Sequence, residues 1–249
     1  MVLLFYAFGR EIGPLKRRFE RRRPLTVAGL RGFHANIDGL ELTAVATGIG
    51  TSMARRNAQI ALEAIPGAEL AISAGVAGAL SPGLAVGDIV IASRVIEGGR
   101  DGAFPERIVE IEQRRVEILQ ALLNTAGLAV SSGGILTSPR ILATGLEKRQ
   151  ARQETGAIAV DMESAAIGLE AAAKGVPFVC VRSVMDEIDH EIAGAGFVDA
   201  NGRVRPFKAA GEFIRQPSAI LRVPWMVRNL ALATRTLADA VEAILNSAE

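Results

Sequence analysis

The chain has 249 residues, 49% of them hydrophobic and 4% aromatic, with a formal charge of +1, which is enough to bury a large core as one α/β domain. So even a charge balance supplies no electrostatic pull toward nucleic acid, and so few rings leave few platforms for stacking bases. Cys180 is the single cysteine, which excludes an internal disulfide, and with His34 and His190 as the only histidines no Cys/His cluster suggests a metal.

Residues Met1 to Phe8 are apolar but lack a basic leader and run straight into Gly9-Arg10-Glu11, so Val2 to Phe8 reads as a first strand rather than a signal peptide. No stretch approaches the roughly 20 apolar residues that span a bilayer, and a cytoplasmic protein is expected. A basic run follows, Lys16, Arg17, Arg18, Arg21, Arg22 and Arg23, broken by Phe19 and Glu20 and closed by Pro24. It reads as a solvated helix face, with peripheral contact to anionic lipid as the alternative.

A glycine-punctuated hairpin is expected over 29–42, then a strand over Leu42 to Ala46 that enters Thr47-Gly48-Ile49-Gly50-Thr51-Ser52, and a helix over Met53 to Ala64. The next strand, Leu70 to Ser73, opens into Ala74-Gly75-Val76-Ala77-Gly78. Glycines after a strand let backbone approach a ligand closely, and the amides that open a following helix favour anions or hydroxyl-rich groups. After Pro82-Gly83 and Gly87-Asp88 comes a strand over Ile89 to Ala92, and the amphipathic pattern of Arg107 to Thr125 predicts a scaffold helix. Gly133-Gly134 introduces a strand over Ile135 to Thr137, and Ser138-Pro139-Arg140 turns the chain.

The segment AIAVDMESAAIGLEAAAKGVPFVCVRSVMD places an apolar strand before the acidic step Met162-Glu163, an Ala-rich helix, and a second apolar run from Val176 to Val181. A continuous run of that kind suits a strand covered on both faces, in which Cys180 packs as a small hydrophobe. Arg182 and Asp186 then stand at its carboxyl end, where α/β sheets bind ligands. Beyond about residue 196 a C-terminal extension begins, with a turn at Asn201-Gly202 and a long helix after Pro224.

Taken in order, AFGREIGPL, TGIGTSMA, SAGVAGALSPGLAVGDIVIA and VDMESAAIGLEAAAKGVPFVCVRSVMDE resemble the nucleoside phosphorylase and nucleosidase superfamily, which includes purine nucleoside phosphorylases and methylthioadenosine/S-adenosylhomocysteine nucleosidases. The resemblance implies a three-layer α/β/α single domain over 1–249 with a central mixed sheet. It also implies a homo-oligomer that cleaves the bond between a purine and ribose, with a small-molecule nucleoside as partner. No cofactor is implied, inorganic phosphate being a co-substrate only if it replaces water.

Breaking that bond gives the ribose oxocarbenium character and makes the departing purine anionic, so an acid must protonate the base. By the resemblance Asp186 is that acid, its pKa raised by a covered crevice near other carboxylates. Glu163 holds the ribose hydroxyls while Met162 packs on the sugar, Glu11 activates water, Arg182 helps position the nucleophile, and Ile141 and Leu142 flank the purine. The Thr47, Gly48, Gly50 loop and the Gly75, Val76, Ala77, Gly78 segment surround the nucleophile. An ionised Glu11 would repel phosphate, whereas the first of these loops together with Arg182 could cradle it, so water and phosphate both stand.

The chain departs from the family pattern at Val76, where a small polar residue is common, at Met185, where serine is usual, and at Ser138-Pro139, which replaces Gly-Asp. Its tail and arginine-rich start are most similar to the hopanoid-associated phosphorylases, implied to remove adenine from adenosylhopane. So apolar a 5′ substituent needs an apolar mouth, for which Phe197, Phe207, Phe213, Trp225 and Met226 are candidates. Packing of the last helix is the plainer role for each. A non-catalytic nucleoside-binding or sensor domain is the alternative function, against which Glu11, Glu163, Arg182 and Asp186 stand together.

Overall fold

The computed structural model describes residues 1–19, 21–99, 105–192 and 218–247. Its elements run β1 Val2–Tyr6, α1 Gly13–Arg18, β2 Arg23–Val27, β3 Leu30–Ile37, β4 Leu40–Ala46, α2 Thr51–Ala64, β5 Leu70–Ala79 and β6 Ile89–Glu97. They continue with β7 Arg107–Glu110, α3 Gln113–Thr125, β8 Val130–Thr137, α4 Gly145–Thr155, β9 Ala159–Asp161, α5 Ser164–Ala173, β10 Phe178–Asp186 and α6 Ser218–Asn246.

The strands form one mixed sheet in the order β10-β6-β8-β9-β5-β1-β4-β3-β2, with β7 on β6 and a further pairing of β10 with β5. That last pairing closes a ring, β5-β10-β6-β8-β9, within the sheet. Central strand β1 is buried at every position and lies parallel to β4 and β5, which is why Val2 to Tyr6 reads as an unbroken apolar run. On one face the small faces of α2 (Ala54, Ala58, Ala61) and α5 (Ala165, Ala166, Gly168) are buried. The fit is tight, since a Cβ on Gly168 would stand 2.9 Å from the Phe178 ring.

The β2–β3 and β3–β4 connections are two-residue turns with positive φ at both positions, Ala28-Gly29 and Asp38-Gly39, the geometry that matches strand twist in hairpins. Several expectations need correction. Arg107 to Glu110 is a strand paired with β6, and the helix starts only at Gln113, because pairing with a sheet edge outweighs the local helical periodicity. Gly75 to Gly78 lie inside β5 rather than in a loop, and Gly133-Gly134 lie inside β8.

The basic run is divided among α1, a turn and the start of β2. Arg18 in it bonds Asp239 and, at 2.6 Å, Glu242 of α6. The last helix begins at Ser218 and contains Pro224. The Asn201-Gly202 turn, Phe197, Phe207, Phe213 and the expected start of the extension near 196 fall outside the described residues. Among the described residues, no helix is long and apolar enough to cross a membrane.

Candidate active site

The crevice forms beside the carboxyl ends of β1, β5 and β10. Strand β9 meets the far end of β5 antiparallel, with Val160 opposite Gly78, so its exit at Asp161-Met162-Glu163 returns toward the middle of β5. The result is a cavity of about 300 Å³ lined by Glu11, Glu163 and Asp186, by Val76, Ala77 and Gly78, and by Met162, Ile141 and Leu142. These expected site residues therefore share one space.

Glu11 follows β1 and is 4% exposed. Its Oε2 accepts the amides of Ala7 at 2.9 Å and Phe8 at 3.4 Å, and its Oε1 accepts that of Val76 at 2.8 Å. Burial raises its pKa, while the nearby Arg182 guanidinium and these amides act in the opposite direction. Gly75 makes the seat possible, because a Cβ there would stand 2.5 Å from Glu11 Oε1.

Gly78 has the same relation to Asp186, where a Cβ would lie 3.0 Å from Oδ2. The glycines at 75 and 78 thus clear space on β5 for carboxylates arriving from β1 and β10. Sequence inspection detects the glycines but reads them as a turn, since the reason for them lies in distant segments.

Glu163 precedes α5 and accepts the Gly50 amide at 2.6 Å. Enclosure by protein and the neighbouring Asp161 carboxylate raise its pKa to about 8, with the Gly50 bond working against them. Gly50 therefore supports the site through Glu163, and Thr51 Oγ1 adds a 3.1 Å bond to the Met162 carbonyl. Thr47 is fully buried, donating to the Tyr6 carbonyl at 3.1 Å, and the Gly48 amide bonds the Ala7 carbonyl at 3.1 Å. These residues tie the loop after β4 to the end of β1 and do not line the crevice.

Arg182 occupies a different place from the one expected. Strand β10 continues past it to Asp186, and its side chain is buried. Its Nε donates to Asp161 Oδ2 at 2.8 Å, Nη1 to the Ser73 and Val181 carbonyls at 2.9 and 3.0 Å, and Nη2 to Ser73 Oγ and Ser164 Oγ, each at 2.8 Å. Every N–H of the guanidinium is thereby used, leaving none for a nucleophile. Asp161, Ser73 and Ser164, its partners, were not legible as a group because they come from separate elements. Cys180, buried beside them with its pKa pushed up to about 11 by desolvation, is not an activated thiol.

Asp186 is 2% exposed and ion-paired with Lys148 of α4, itself fully buried. Burial raises the Asp186 pKa, and the Lys148 ammonium opposes the rise. The covered crevice is the expected cause, but the charge beside Asp186 is the Lys148 cation rather than the expected carboxylates. The crevice is also lined by the apolar side chains of Ile49, Met185, Ile192 and Met226, together with Asp161 and Arg140. Trp225 instead meets His190 edge-on, with ring centroids 4.7 Å apart.

Among the described residues no cluster of His, Cys, Asp and Glu has the makings of a metal site. Over residues 2–215 the sequence matches the family model described as the Phosphorylase superfamily. The chain belongs to that superfamily. Within it, the chain is 27% identical over 197 residues to the 5′-methylthioadenosine/S-adenosylhomocysteine nucleosidase of Geobacillus thermodenitrificans, covering 72% of this chain and 81% of the relative. The same-named protein of Geobacillus kaustophilus is 27% identical over 208 residues, covering 77% and 86%.

The fold is shared with a Helicobacter pylori methylthioadenosine nucleosidase variant holding 5′-methylthioadenosine in its active site, at a TM-score of 0.77, 18% identity, and 99% and 98% coverage. Futalosine hydrolase of Helicobacter pylori has the same TM-score and identity, with 99% and 97% coverage. The mixed α/β sheet of the superfamily is thus the architecture of this chain.

Proposed function

We propose that this protein cleaves the N-glycosidic bond of a purine nucleoside carrying an apolar 5′ substituent, releasing adenine with water as nucleophile. One observation carries the reading: Glu11, Glu163 and Asp186 line a single crevice that also presents the apolar side chains of Ile49, Met185, Ile192 and Met226. In this reading Asp186 gives its proton to the purine as the C1′–N bond breaks and the bonding electrons leave with the base. Glu163 holds the ribose hydroxyls and, once ionised, favours positive charge on the ring, with Met162 on the sugar. Ile141 and Leu142 flank the purine. Glu11 takes a proton from the attacking water, and the amides of Ala7, Phe8 and Val76 fix its orientation.

Water is favoured over phosphate because the amides suited to an anion are already occupied by Glu11 and the Arg182 guanidinium is saturated. Arg182 then acts through Asp161 and its positive field rather than by touching the nucleophile. Arg140 lines the crevice but is 64% exposed and paired with Glu147, so its charge is well screened. The relatives named for methylthioadenosine and S-adenosylhomocysteine cleavage support the reaction class. The apolar wall of Met185, Ile192 and Met226 extends the reading to a long apolar 5′ group, of which the hopane of adenosylhopane is the most demanding case.

Release of adenine from 5′-substituted adenosines, with and without phosphate, tests this reading. Release without phosphate, and faster turnover of a long apolar substituent than of adenosine, is expected. Strict dependence on phosphate would overturn water as nucleophile, and no release from any of them would favour the sensor reading. We also propose a cytoplasmic homo-oligomer in one domain. Lys16, Arg17 and Arg21 to Arg23, all exposed, would touch anionic lipid; absence of co-sedimentation with phosphatidylserine vesicles at low salt would remove that contact.

A further inference from the structure

Lys148 lies in the first turn of α4, a turn held by a reciprocal cap in which Thr144 Oγ1 accepts the Glu147 amide and Glu147 accepts that of Thr144. Its side chain is fully buried, and its Nζ is ion-paired with Asp186 and donates to the Glu187 carbonyl at 2.7 Å and the His190 carbonyl at 3.0 Å. An ammonium has three protons to donate, so these bonds satisfy it. It does not line the crevice, whereas Asp186 does. Lys148 can therefore influence a ligand only through Asp186 or through the turn it anchors. A buried lysine is expensive unless paired, and the pairing here is with Asp186.

We propose that Lys148 is a positioning residue for glycosidic cleavage, aiming Asp186 at the purine and compensating the negative charge that appears on Asp186 when its proton leaves. This rests on the reading of Asp186 as the acid. In that step the Asp186 O–H proton moves to a purine nitrogen, and the carboxylate left behind is met by an ammonium already in place. Asp186 regains its proton from solvent after the base departs.

The same ammonium makes Asp186 a stronger acid than burial alone would leave it, and so lowers the pH above which it has no proton to give. The other titratable and charged groups around Asp186 are His190 and Glu187 in the turn after β10, and Glu11, Asp161, Glu163 and Arg140 lining the same crevice. Helix α6 brings Met226 and Asn229, which carry no charge. Lys148 is the cation bonded directly to Asp186.

The test is the pH profile of kcat for adenine release by the wild type, Lys148→Arg, Lys148→Met and Asp186→Asn. Turnover by the proposed route falls as pH rises through the Asp186 pKa. Removing the neighbouring positive charge should lower kcat and move this basic limb upward by about one pH unit or more, while Lys148→Arg should keep the limb near its wild-type position. A lower kcat with an unmoved limb would overturn the proposal and leave Lys148 as a structural residue.

Undiminished turnover in Asp186→Asn would instead overturn the reading of Asp186 as the acid. Should Lys148→Met not fold, Lys148→Gln takes its place in the same profile, and there too a lowered kcat with an unmoved basic limb would overturn the proposal.

Discussion

The polar and apolar parts of the crevice lining are built in opposite ways. The polar part is saturated with hydrogen bonds: Glu11 is held by backbone amides, Arg182 has no free N–H, and Asp161 accepts from Thr137, Ser164 and Arg182. The apolar part of the lining, Met185 from the end of β10 with Ile192 and Met226, has no such network and offers a ligand mainly shape. Polar groups held in a fixed network keep their geometry because any displacement leaves a buried partner unsatisfied. Apolar side chains of the methionine type repack at little cost. On this comparison the reaction belongs to the bonded polar network and the choice of substituent to the apolar lining.

The comparison can be broken most severely at the acid. Asp186→Asn should lower kcat for purine release by about 10²- to 10⁴-fold, the usual worth of general acid catalysis, with the far-UV circular dichroism spectrum unchanged. A smaller loss is expected from Gly75→Ala, whose new Cβ must displace the Glu11 carboxylate. A misplacement of about 1 Å costs on the order of 10²-fold in rate, and steady-state kinetics with a small 5′ group should show it in kcat.

Glu163 sharpens the contrast through stability. Its folded pKa of about 8 lies above the ordinary carboxylate value, so the folded state binds more protons than the unfolded state between these values. The protein without nucleoside should therefore lose stability as pH rises from about 5 to 8. Glu163→Gln should flatten that decline in Tm, measured by calorimetry at several pH values. The mildest change is Met226→Ala on the apolar side, expected to raise KM for a long apolar substituent by about tenfold, as for methylenes lost from a pocket. The 5′-methylthio substrate should be nearly unaffected in the same assay.

Much of the polar part was legible because its elements carry strong local signals. Val2 to Tyr6 is an apolar run, Met162-Glu163 follows an apolar strand, and Asp186 ends one; all take the expected places. Arg182 was misread because a charge after an apolar run looks like a strand end. Only the arrival of Asp161, Ser73 and Ser164 from elsewhere makes a buried guanidinium tolerable.

Lys148 was invisible for the mirror reason. Within Glu147-Lys148-Arg149-Gln150 it resembles any solvated helix residue, and its burial follows from α4 packing on the 187–190 turn, where a Cβ on Gly145 would already lie 3.1 Å from the Ile188 carbonyl. Arg107 to Glu110 misled in the same way, its pairing with β6 being a long-range fact absent from local periodicity.

The closure of β5-β10-β6-β8-β9 into a ring has a consequence for how copies of this chain meet. A ring has no open rim, so on the path through β1, β4 and β3 the sheet ends at β2. An open edge offers unpaired backbone to any extended segment, including the same strand of another molecule. Strand β2 starts with Arg23 and Pro24, both exposed, directly after Arg21 and Arg22. Proline has no N–H to offer, and rows of arginine repel their own kind, so the most basic stretch of the chain keeps this border from being extended by a neighbour.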